Sequence, residues 1–456
     1  MYFVHFPIFY LGLFFILVIV LCLMTRASID RVTSVASYGL GLIVLIPFID
    51  SFWGGFLLTY PLRIEPYFIN FFNPFIDLSN IGISPGQRII TFFIVMLIAI
   101  YVYTKTRSIL RTLATGFLSL MIIMLWGGLT TLLANNHPEY YFVSGGFLYS
   151  DTQKFTGIYG LLFLPIYFLF SYLYNRENLC SILGSMRLER MFLFGGMGVF
   201  GYLLAKHHAS MTNANPFDPL AIALMFIILA FAFWVLQIIN DFCDIKSDRL
   251  TRRRNPLLNK HIRKPYFIWG MILSLFVLIY AFMINYTAFL IMIVFLSLGF
   301  VYSIPPIRLK RIPFISTFVH ALAIILAMAI GYSLIFGSRA LHIIPKSLIL
   351  PTLIGVTLGF SAKDINDRAA DKIDHVYTLA VLFYAEDTFI HRLPLSLLIA
   401  FSYLIYAIFI PQTLPGAVLW SLLTFAVTLF SRKPKEWIYF LLLYTFGLYL
   451  LYIMTQ

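Results

Sequence analysis

A run of polar side chains interrupts a long apolar stretch of the chain, and it reads Ile239-Asn240-Asp241-Phe242-Cys243-Asp244-Ile245-Lys246-Ser247-Asp248-Arg249. Asn240, Asp244 and Asp248 are spaced i, i+4 and i+8, so they lie along one face if the preceding helix continues. Three oxygen-bearing side chains on one face repel one another unless a cation lies among them. Mg²⁺ suits such ligands, because it takes few carboxylates and completes its coordination with phosphate and water. The stretch therefore predicts a magnesium site at a helix end.

The composition around this stretch predicts a membrane protein. Of 456 residues, 61% are hydrophobic and only 11% are charged, which leaves too little polar surface for a water-soluble globule of this size. Windows of about 20 apolar residues predict five helices in residues 1–185, at Pro7 to Met24, Val35 to Phe52, Ile89 to Tyr103, Ile109 to Leu133 and Thr156 to Leu173. They predict nine in residues 186–456, at Met191 to Ala205, Leu220 to Ile239, Phe267 to Ile284, Ala288 to Val301, Phe314 to Phe336, Ser347 to Ser361, Leu393 to Ile410, Ala417 to Phe430 and Trp437 to Ile453. We expect an all-α, polytopic fold with these two domains.

The distribution of positive charge predicts the orientation of the helices. If the loops after the first, third and fifth helices are cytoplasmic, only six of the 32 Lys and Arg residues lie outside, namely Arg63, Arg88, Lys154, Lys206, Arg339 and Lys346. The polar loops are then cytoplasmic and both termini lie outside, in a protein of the cytoplasmic membrane. The net charge of +13 is better explained by this bias than by nucleic-acid binding. The first apolar run lacks a positive leader, so we expect it to be retained as a helix.

A second acidic cluster follows the predicted helix at 347–361, and it reads Lys363-Asp364-Ile365-Asn366-Asp367-Arg368-Ala369-Ala370-Asp371-Lys372. Asp364, then Asp367 or Arg368, and then Asp371 recur at i, i+3 or i+4, and i+7, which predicts a single helical face. Two acidic faces on one side of the membrane could hold two metal ions around a diphosphate, which Mg²⁺ turns into a leaving group. The alternative for each cluster taken singly is a solvated cap paired with its own Lys and Arg. Two such clusters at matching helix ends favour a functional site over two solvated caps.

A third polar segment lies between the two clusters and reads Tyr302-Ser303-Ile304-Pro305-Pro306-Ile307-Arg308-Leu309-Lys310-Arg311. Its two prolines end a helix and favour extended backbone, which can aim Arg308 and Lys310 at a phosphate. The alternative is that these cations only orient the protein in the membrane. A membrane-surface role is favoured for a further basic group, Arg252, Arg253, Arg254, Lys260, Arg263 and Lys264.

Together these segments resemble the UbiA family of intramembrane prenyltransferases, whose motifs are N-D-x-x-D-x-x-x-D after the second helix and D-x-x-x-D after the sixth. Residues 240–248 match the first motif, and Asp367-x-x-x-Asp371 matches the second. The segments at 302–310 and 378–382 are also similar to family loops. The resemblance covers residues 186–456. It departs from the family at Ala369-Ala370, where Glu-Gly is frequent, and at Met191, because Pro often follows the family's counterpart of Arg190.

The resemblance implies a nine-helix bundle around a central cavity and a Mg²⁺-dependent transfer of a polyprenyl group from its diphosphate. It implies metal ligands at Asn240, Asp241, Asp244, Asp248, Asp364, Asp367 and Asp371. The expected diphosphate contacts are Arg190, Tyr302, Arg308, Lys310, Lys363 and Lys372. Asp244, Asp367, Asp371 and Lys310 are the expected catalytic residues. His320 could contact the acceptor, although a packing role is the stronger interpretation.

The acceptor is open at this stage. An aromatic or quinone-type acceptor, and so a role in quinone biosynthesis, is the broadest family expectation. A glycerol-phosphate lipid is the alternative, because Asp248-Arg249 with Asn255-Pro256-Leu257 resembles that branch. Rival functions are a secondary transporter, whose sites tend to lie near the bilayer midplane, and a membrane scaffold without activity. The sequence predicts neither the oligomeric state nor the role of residues 1–185.

Overall fold

The computed structural model describes residues 2–52, 67, 71–72, 83–136, 151–211, 218–251, 255–373, 376–383, 388–431 and 434–456. In these ranges every regular element is a helix, so the predicted all-α class is confirmed. The chain separates into two compact units, unit 1 at Met1–Leu179 and unit 2 at Cys180–Gln456. The domain boundary at 185/186 stays a prediction.

In the described ranges, unit 1 is built mainly from long apolar helices. Its second predicted helix is divided, because a 3₁₀ turn at Leu42–Val44 separates α2 from α3. The fourth helix begins with a capping box, in which Ser84 and Gln87 satisfy each other's backbone N–H groups. The helices are α1 Tyr2–Thr25, α2 Ile29–Gly41, α3 Leu45–Ser51, α4 Pro85–Thr106, α5 Ile109–Asn136, α6 Asp151–Tyr174 and, across the division, α7 Arg176–Leu183.

Unit 2 contains the polar segments, and these lie at or just beyond the ends of its long helices. The longest helix, α9, has 34 residues and runs through the whole first motif. The helices are α8 Leu188–His208, α9 Asp218–Thr251, α10 Arg263–Ile284, α11 Tyr286–Ser303, α12 Ile315–Phe336, α13 Ala340–Ile343, α14 Lys346–Gly359, α15 Arg368–Ile373, α16 Leu379–Phe383, α17 Phe389–Phe409, α18 Leu414–Phe430 and α19 Glu436–Met454.

The chain is a multi-pass integral membrane protein. Thirteen helical stretches in the described ranges are long and apolar enough to cross a bilayer, five of them before residue 179. The remaining predicted span coincides with α14, which has 14 residues and is about 21 Å long at 1.5 Å per residue. It continues as a 3₁₀ helix at Phe360–Asp364. The number of crossings and the sidedness of the loops stay predictions.

The core of unit 2 forms where α8 and α12 cross, because glycines let the two backbones approach closely. A Cβ on Gly331 would lie 2.2 Å from the Gly198 carbonyl oxygen, and one on Gly201 would lie 2.2 Å from the Met328 carbonyl oxygen. Small residues at such crossings are a common device of membrane helices, which gain from close backbone packing rather than from leaving water. Helix α12 is buried on nearly all sides.

We expect Gly201→Ala to destabilise the protein by about 1–3 kcal/mol, because the added methyl group collides with backbone that cannot move aside. Gly196→Ala, on the same helix, is the matched control, since a Cβ there meets nothing within 4 Å. The measurement is thermal unfolding of the purified protein in detergent. A melting temperature for Gly201→Ala equal to that of Gly196→Ala would contradict the close crossing.

Candidate functional site

The first motif lies on one broad face of α9, because the helix continues through all of it. At 3.6 residues per turn, Asn240 and Asp244 are about 40° apart, Asp244 and Asp248 are also about 40° apart, and Asp248 and Asp241 are about 20° apart. Asn240 and Asp244 therefore lie toward one side of this face, and Asp248 and Asp241 lie toward the other.

On the first side, Asp244 binds two cations from the proline-containing segment. Its Oδ1 accepts a hydrogen bond from Arg308 Nη2 at 2.7 Å, and its Oδ2 accepts one from Lys310 Nζ at 2.5 Å. Lys310 Nζ also donates to Asn240 Oδ1 at 3.0 Å, and Ser303 Oγ donates to the same oxygen at 3.3 Å. The structure thus brings together Asn240, Asp244, Arg308 and Lys310, as the sequence predicts.

The second side of α9 is held by neighbouring polar groups. Asp241 Oδ2 accepts a hydrogen bond from the Tyr266 hydroxyl at 2.7 Å, and its Oδ1 accepts one from Gln237 Nε2 at 2.6 Å. Asn255 Nδ2 donates to Asp248 Oδ2 at 2.7 Å and to the Asp241 carbonyl oxygen at 2.8 Å. These bonds fix the orientation of the two carboxylates and fasten the following loop to the helix.

The second acidic cluster does not form one helical face. Asp364 ends a 3₁₀ helix and α15 begins only at Arg368, so the expectation of a continuous helix through Asp364, Asp367 and Asp371 was wrong. Tighter i→i+3 turns often close the end of an α-helix, because they satisfy its last carbonyl groups. Here the Asp367 N–H bonds the Asp364 carbonyl oxygen at 3.1 Å, and the Asp371 N–H bonds that of Asp367 at 2.9 Å.

Asp364 lies in a buried group of charges. Lys363 Nζ pairs with its Oδ1 at 3.1 Å, while its Oδ2 is buried and has no hydrogen-bond partner among the described atoms. Burial raises the pKa of the Asp364 carboxyl; Lys363 and Arg190 oppose this shift and Asp367 adds to it. Arg190 itself forms an ion pair with Glu436, with Nη2 2.6 Å from Oε1.

Aromatic residues cover this charged group on one side. The ring of His320 contacts those of Tyr302, at 5.0 Å between centroids, and Phe360, at 4.7 Å. Lys363 Nζ lies 5.7 Å from the centre of the Phe360 ring. His320 Nδ1 is 2.8 Å from the Ser316 carbonyl oxygen, which supports the packing interpretation of this histidine. Tyr302 is thus close to the second cluster rather than to Asp244.

The remaining predicted residues follow the 3₁₀ turn. Asp371 is buried, Asp367 is half-buried, and Lys372 is exposed. The chain beyond them returns to the proline-containing segment, because the Tyr377 N–H bonds the Arg311 carbonyl oxygen at 3.4 Å. The two acidic clusters and the basic segment therefore lie at the same end of unit 2.

Sequence reasoning missed three residues of this region. Arg187 lies within electrostatic range of Asp241, Asp367 and Glu436, and so lies between the two motifs. Glu436 pairs with Arg190, and Tyr266 bonds Asp241. Arg187 stands three residues before Arg190, one helical turn away, which was a usable signal. Glu436 and Tyr266 are isolated polar residues whose partners are distant in sequence.

The described residues contain no group of three or more His, Cys, Asp or Glu side chains arranged around one point. Mg²⁺ does not need such a group, because one or two carboxylates suffice when phosphate and water complete its coordination. The unpaired, buried Oδ2 of Asp364 is an available oxygen ligand of this kind. Asn240 and Asp244 offer further amide and carboxylate oxygens. The residues present therefore fit Mg²⁺.

Comparison with known proteins agrees with this architecture. A family model described as the UbiA prenyltransferase family matches residues 198–454, more than half of the chain. Digeranylgeranylglyceryl phosphate synthase of Pyrococcus horikoshii is 28% identical over 198 residues. That match covers 43% of this chain and 66% of the relative, so the chain spans slightly less than two thirds of the relative's length.

Two solved structures are also similar. A UbiA homologue from Archaeoglobus fulgidus, bound to DMAPP and Mg²⁺, has a TM-score of 0.46 at 19% identity, covering 60% of this chain and 97% of that one. A structure of digeranylgeranylglyceryl phosphate synthase has a TM-score of 0.42 at 18% identity, covering 61% of this chain and 98% of that one.

We expect Asp244→Asn to make Lys310 more reactive toward acetic anhydride at a fixed, mildly alkaline pH. Burial lowers the pKa of the Lys310 ammonium and the Asp244 carboxylate opposes this shift, so removing the negative charge lowers the pKa further and increases the fraction of free amine. Mass spectrometry of the Lys310 peptide measures the change, expected to be several-fold. Lys363, which is paired with Asp364, is the internal control. Equal acetylation of Lys310 in parent and variant would refute the ion pair.

Proposed function

Because this chain belongs to the UbiA prenyltransferase family, we propose that it is an intramembrane prenyltransferase that transfers a polyprenyl group from its diphosphate to a lipophilic acceptor. The observation that supports this proposal most directly is the binding of Asp244 by both Arg308 and Lys310. Two cations on one carboxylate form a positively charged pair near a second group of acidic residues. Such a site suits an anion and its counter-cation together.

In this proposal the carboxylates hold the metal. Asn240 and Asp244 would bind Mg²⁺ from α9, and Asp364, Asp367 and Asp371 would bind it from the second cluster. When bound, Mg²⁺ supplies the positive charge that makes the diphosphate a leaving group. Asp241 and Asp248 would support these ligands through the orientation of α9, because their oxygens already accept hydrogen bonds from Tyr266, Gln237 and Asn255.

The cations would bind the diphosphate. Arg308 and Lys310 are hydrogen-bond donors with no acceptor atom, so an entering diphosphate competes with Asp244 for their N–H groups. During transfer the bond between prenyl carbon and diphosphate oxygen breaks, and its electron pair stays on the oxygen. Arg308 and Lys310 would stabilise that charge where it develops. Lys363, which pairs with Asp364, would do the same from the second cluster, and contacts by Arg190, Tyr302 and Lys372 stay predictions.

The acceptor has two candidates. An aromatic or quinone-type acceptor is the expectation from the family at large. A glycerol-phosphate lipid is supported by the name of the Pyrococcus horikoshii relative and by Asn255, which begins the stretch that resembles that branch and bonds Asp248.

We predict that the purified protein releases diphosphate from geranylgeranyl diphosphate when Mg²⁺ and an acceptor are present, and that EDTA stops the release. Asp244→Ala and Asp367→Ala should each lower the rate by roughly 100-fold or more, as expected for the loss of a group that stabilises transition-state charge. Phosphate detection after pyrophosphatase treatment measures the rate. Glu177→Gln, at an exposed carboxylate of α7, should retain parental activity.

The same experiment separates the rival functions. A transporter or a scaffold releases no diphosphate, whatever the metal. Turnover that persists in EDTA, or alanine variants as active as the parent, would refute the proposed site.

We predict that the acceptor class can be read from product masses. Geranylgeranylglyceryl phosphate and a hydroxybenzoate are offered in parallel with the same prenyl diphosphate, and lipids are extracted for mass spectrometry. A product heavier than one acceptor by one prenyl group identifies its class. Asn255→Ala should lower the rate with either acceptor, because it loosens the loop from Asp248.

A further inference from the structure

Unit 1 contains a cavity of about 650 Å³ that is lined mainly by its first four helices, and also by Ile123 and Gly127 of α5 and by Tyr67 and Phe71. This volume falls in the range of about 300–1,000 Å³ that is usual for small-molecule sites. Helix α1 contributes residues from His5 to Leu21, α2 and α3 contribute residues from Val32 to Ile46, and α4 contributes residues from Gln87 to Thr104. The cavity therefore lies within unit 1 and is separate from the polar segments of unit 2.

The cavity is long and narrow. The residues that α4 contributes recur every three or four positions, so they form one continuous face of the helix. From Gln87 to Thr104 this face is about 25 Å long at 1.5 Å per residue. The hydrocarbon core of a bilayer is about 30 Å thick, and one leaflet about half of that. The cavity is therefore longer than one leaflet is deep.

The lining is apolar and aromatic along its length, with polar groups at its ends. At one end the side chains of Tyr10 and Gln87 both line the cavity. Next to them, buried Asp50 accepts a hydrogen bond from the Gly86 N–H at 2.7 Å. Toward the other end, the Tyr101 hydroxyl is buried and has no hydrogen-bond partner among the described atoms. A polar group inside the cavity could bind at either end.

The cavity opens between α2 and α4. Val35 and Tyr38 on α2 and Leu97 and Ile100 on α4 line it and are also exposed. The opening lies along membrane-spanning helices, so a molecule would enter sideways from the lipid rather than from water.

We propose that unit 1 binds one long isoprenoid chain in this cavity, with its polar end at Tyr10 and Gln87. An extended hydrocarbon chain suits a cavity of this length. The apolar lining supplies the binding energy through burial of hydrocarbon. The choice of an isoprenoid over another long hydrocarbon rests on the proposed function, in which the protein handles polyprenyl groups.

A glycine in the wall of the cavity provides the test. A Cβ on Gly39 would meet nothing within 4 Å, and Gly39 lines the cavity, so Gly39→Phe projects a ring into it without a collision. Gly41, also on α2, likewise has open space around a Cβ, but it is exposed and does not line the cavity. Gly41→Phe is therefore the matched control, and Gly39→Ala tests whether substitution at the position alone has an effect.

The probe is geranylgeraniol carrying a photoreactive diazirine, applied to the full-length protein in detergent or in lipid vesicles. We expect light to attach it to peptides of α1 and α4. In Gly39→Phe the new phenyl ring should exclude part of the isoprenoid chain. Labelling should therefore fall by about tenfold to a hundredfold. Gly41→Phe and Gly39→Ala should be labelled like the parent. Hexadecanol, a straight-chain alcohol, should compete more weakly than unlabelled geranylgeraniol.

Labelling in Gly39→Phe equal to that of the parent would overturn the binding site, and equal competition by hexadecanol would overturn its assignment to isoprenoids. The probe has no diphosphate, so Asp244→Ala should be labelled in α1 and α4 like the parent. If prenyl transfer fails in every assay while this labelling persists, the proposed function is wrong and the cavity still binds a chain. If prenyl transfer is intact and Gly39→Phe is labelled like the parent, the cavity proposal is wrong.

Discussion

The carboxylate of Asp244 accepts hydrogen bonds from Arg308 and Lys310, which are 64 and 66 residues farther along the chain. Three charged groups held together at a helix end in a membrane protein are costly to desolvate, and they persist because each satisfies another. This contact joins α9 to the segment after α11, and it determines where the rest of the polar region lies. The second acidic cluster reaches the same end of unit 2 through the backbone bond between Tyr377 and Arg311.

The charged residues around Asp244 fall into groups with different structural roles. Asp241 and Asp248 are held by neutral hydrogen-bond donors, so they keep α9 and its loop in place. Asp364 shares its buried environment with Lys363 and Arg190 and keeps one oxygen unpaired. Arg187, close to both Asp241 and Asp367, offers positive charge between the motifs. Cations and carboxylates are thus interleaved through this region, which suits the diphosphate and metal of the proposed function.

Unit 1 consists mainly of apolar residues on long helices, in contrast to the polar region of unit 2. Its helices carry few charges, and the buried ones lie near helix ends, such as Asp50 beside the first turn of α4. The cavity is lined by apolar side chains of α1, α2 and α4, and Gly39 leaves open space in its wall. Lipid does not drive apolar side chains together as water does. An apolar cavity that opens to lipid can therefore persist without collapsing.

The amino-acid sequence was enough to predict the helical class, the approximate spans and the residues around Asp244, because apolar length and helical spacing are local properties. It could not predict that Asp248 bonds Asn255 instead of joining Asp244, since a difference of about 40° in helical phase matters only once a partner such as Asn255 is in place. It misjudged the second cluster for the same reason: the turn at 365–367 depends on contacts such as that of Asn366 with the Pro434 carbonyl oxygen. Arg187, Glu436 and the cavity of unit 1 depend on residues far apart in the chain, and only the folded arrangement of the helices brings them together.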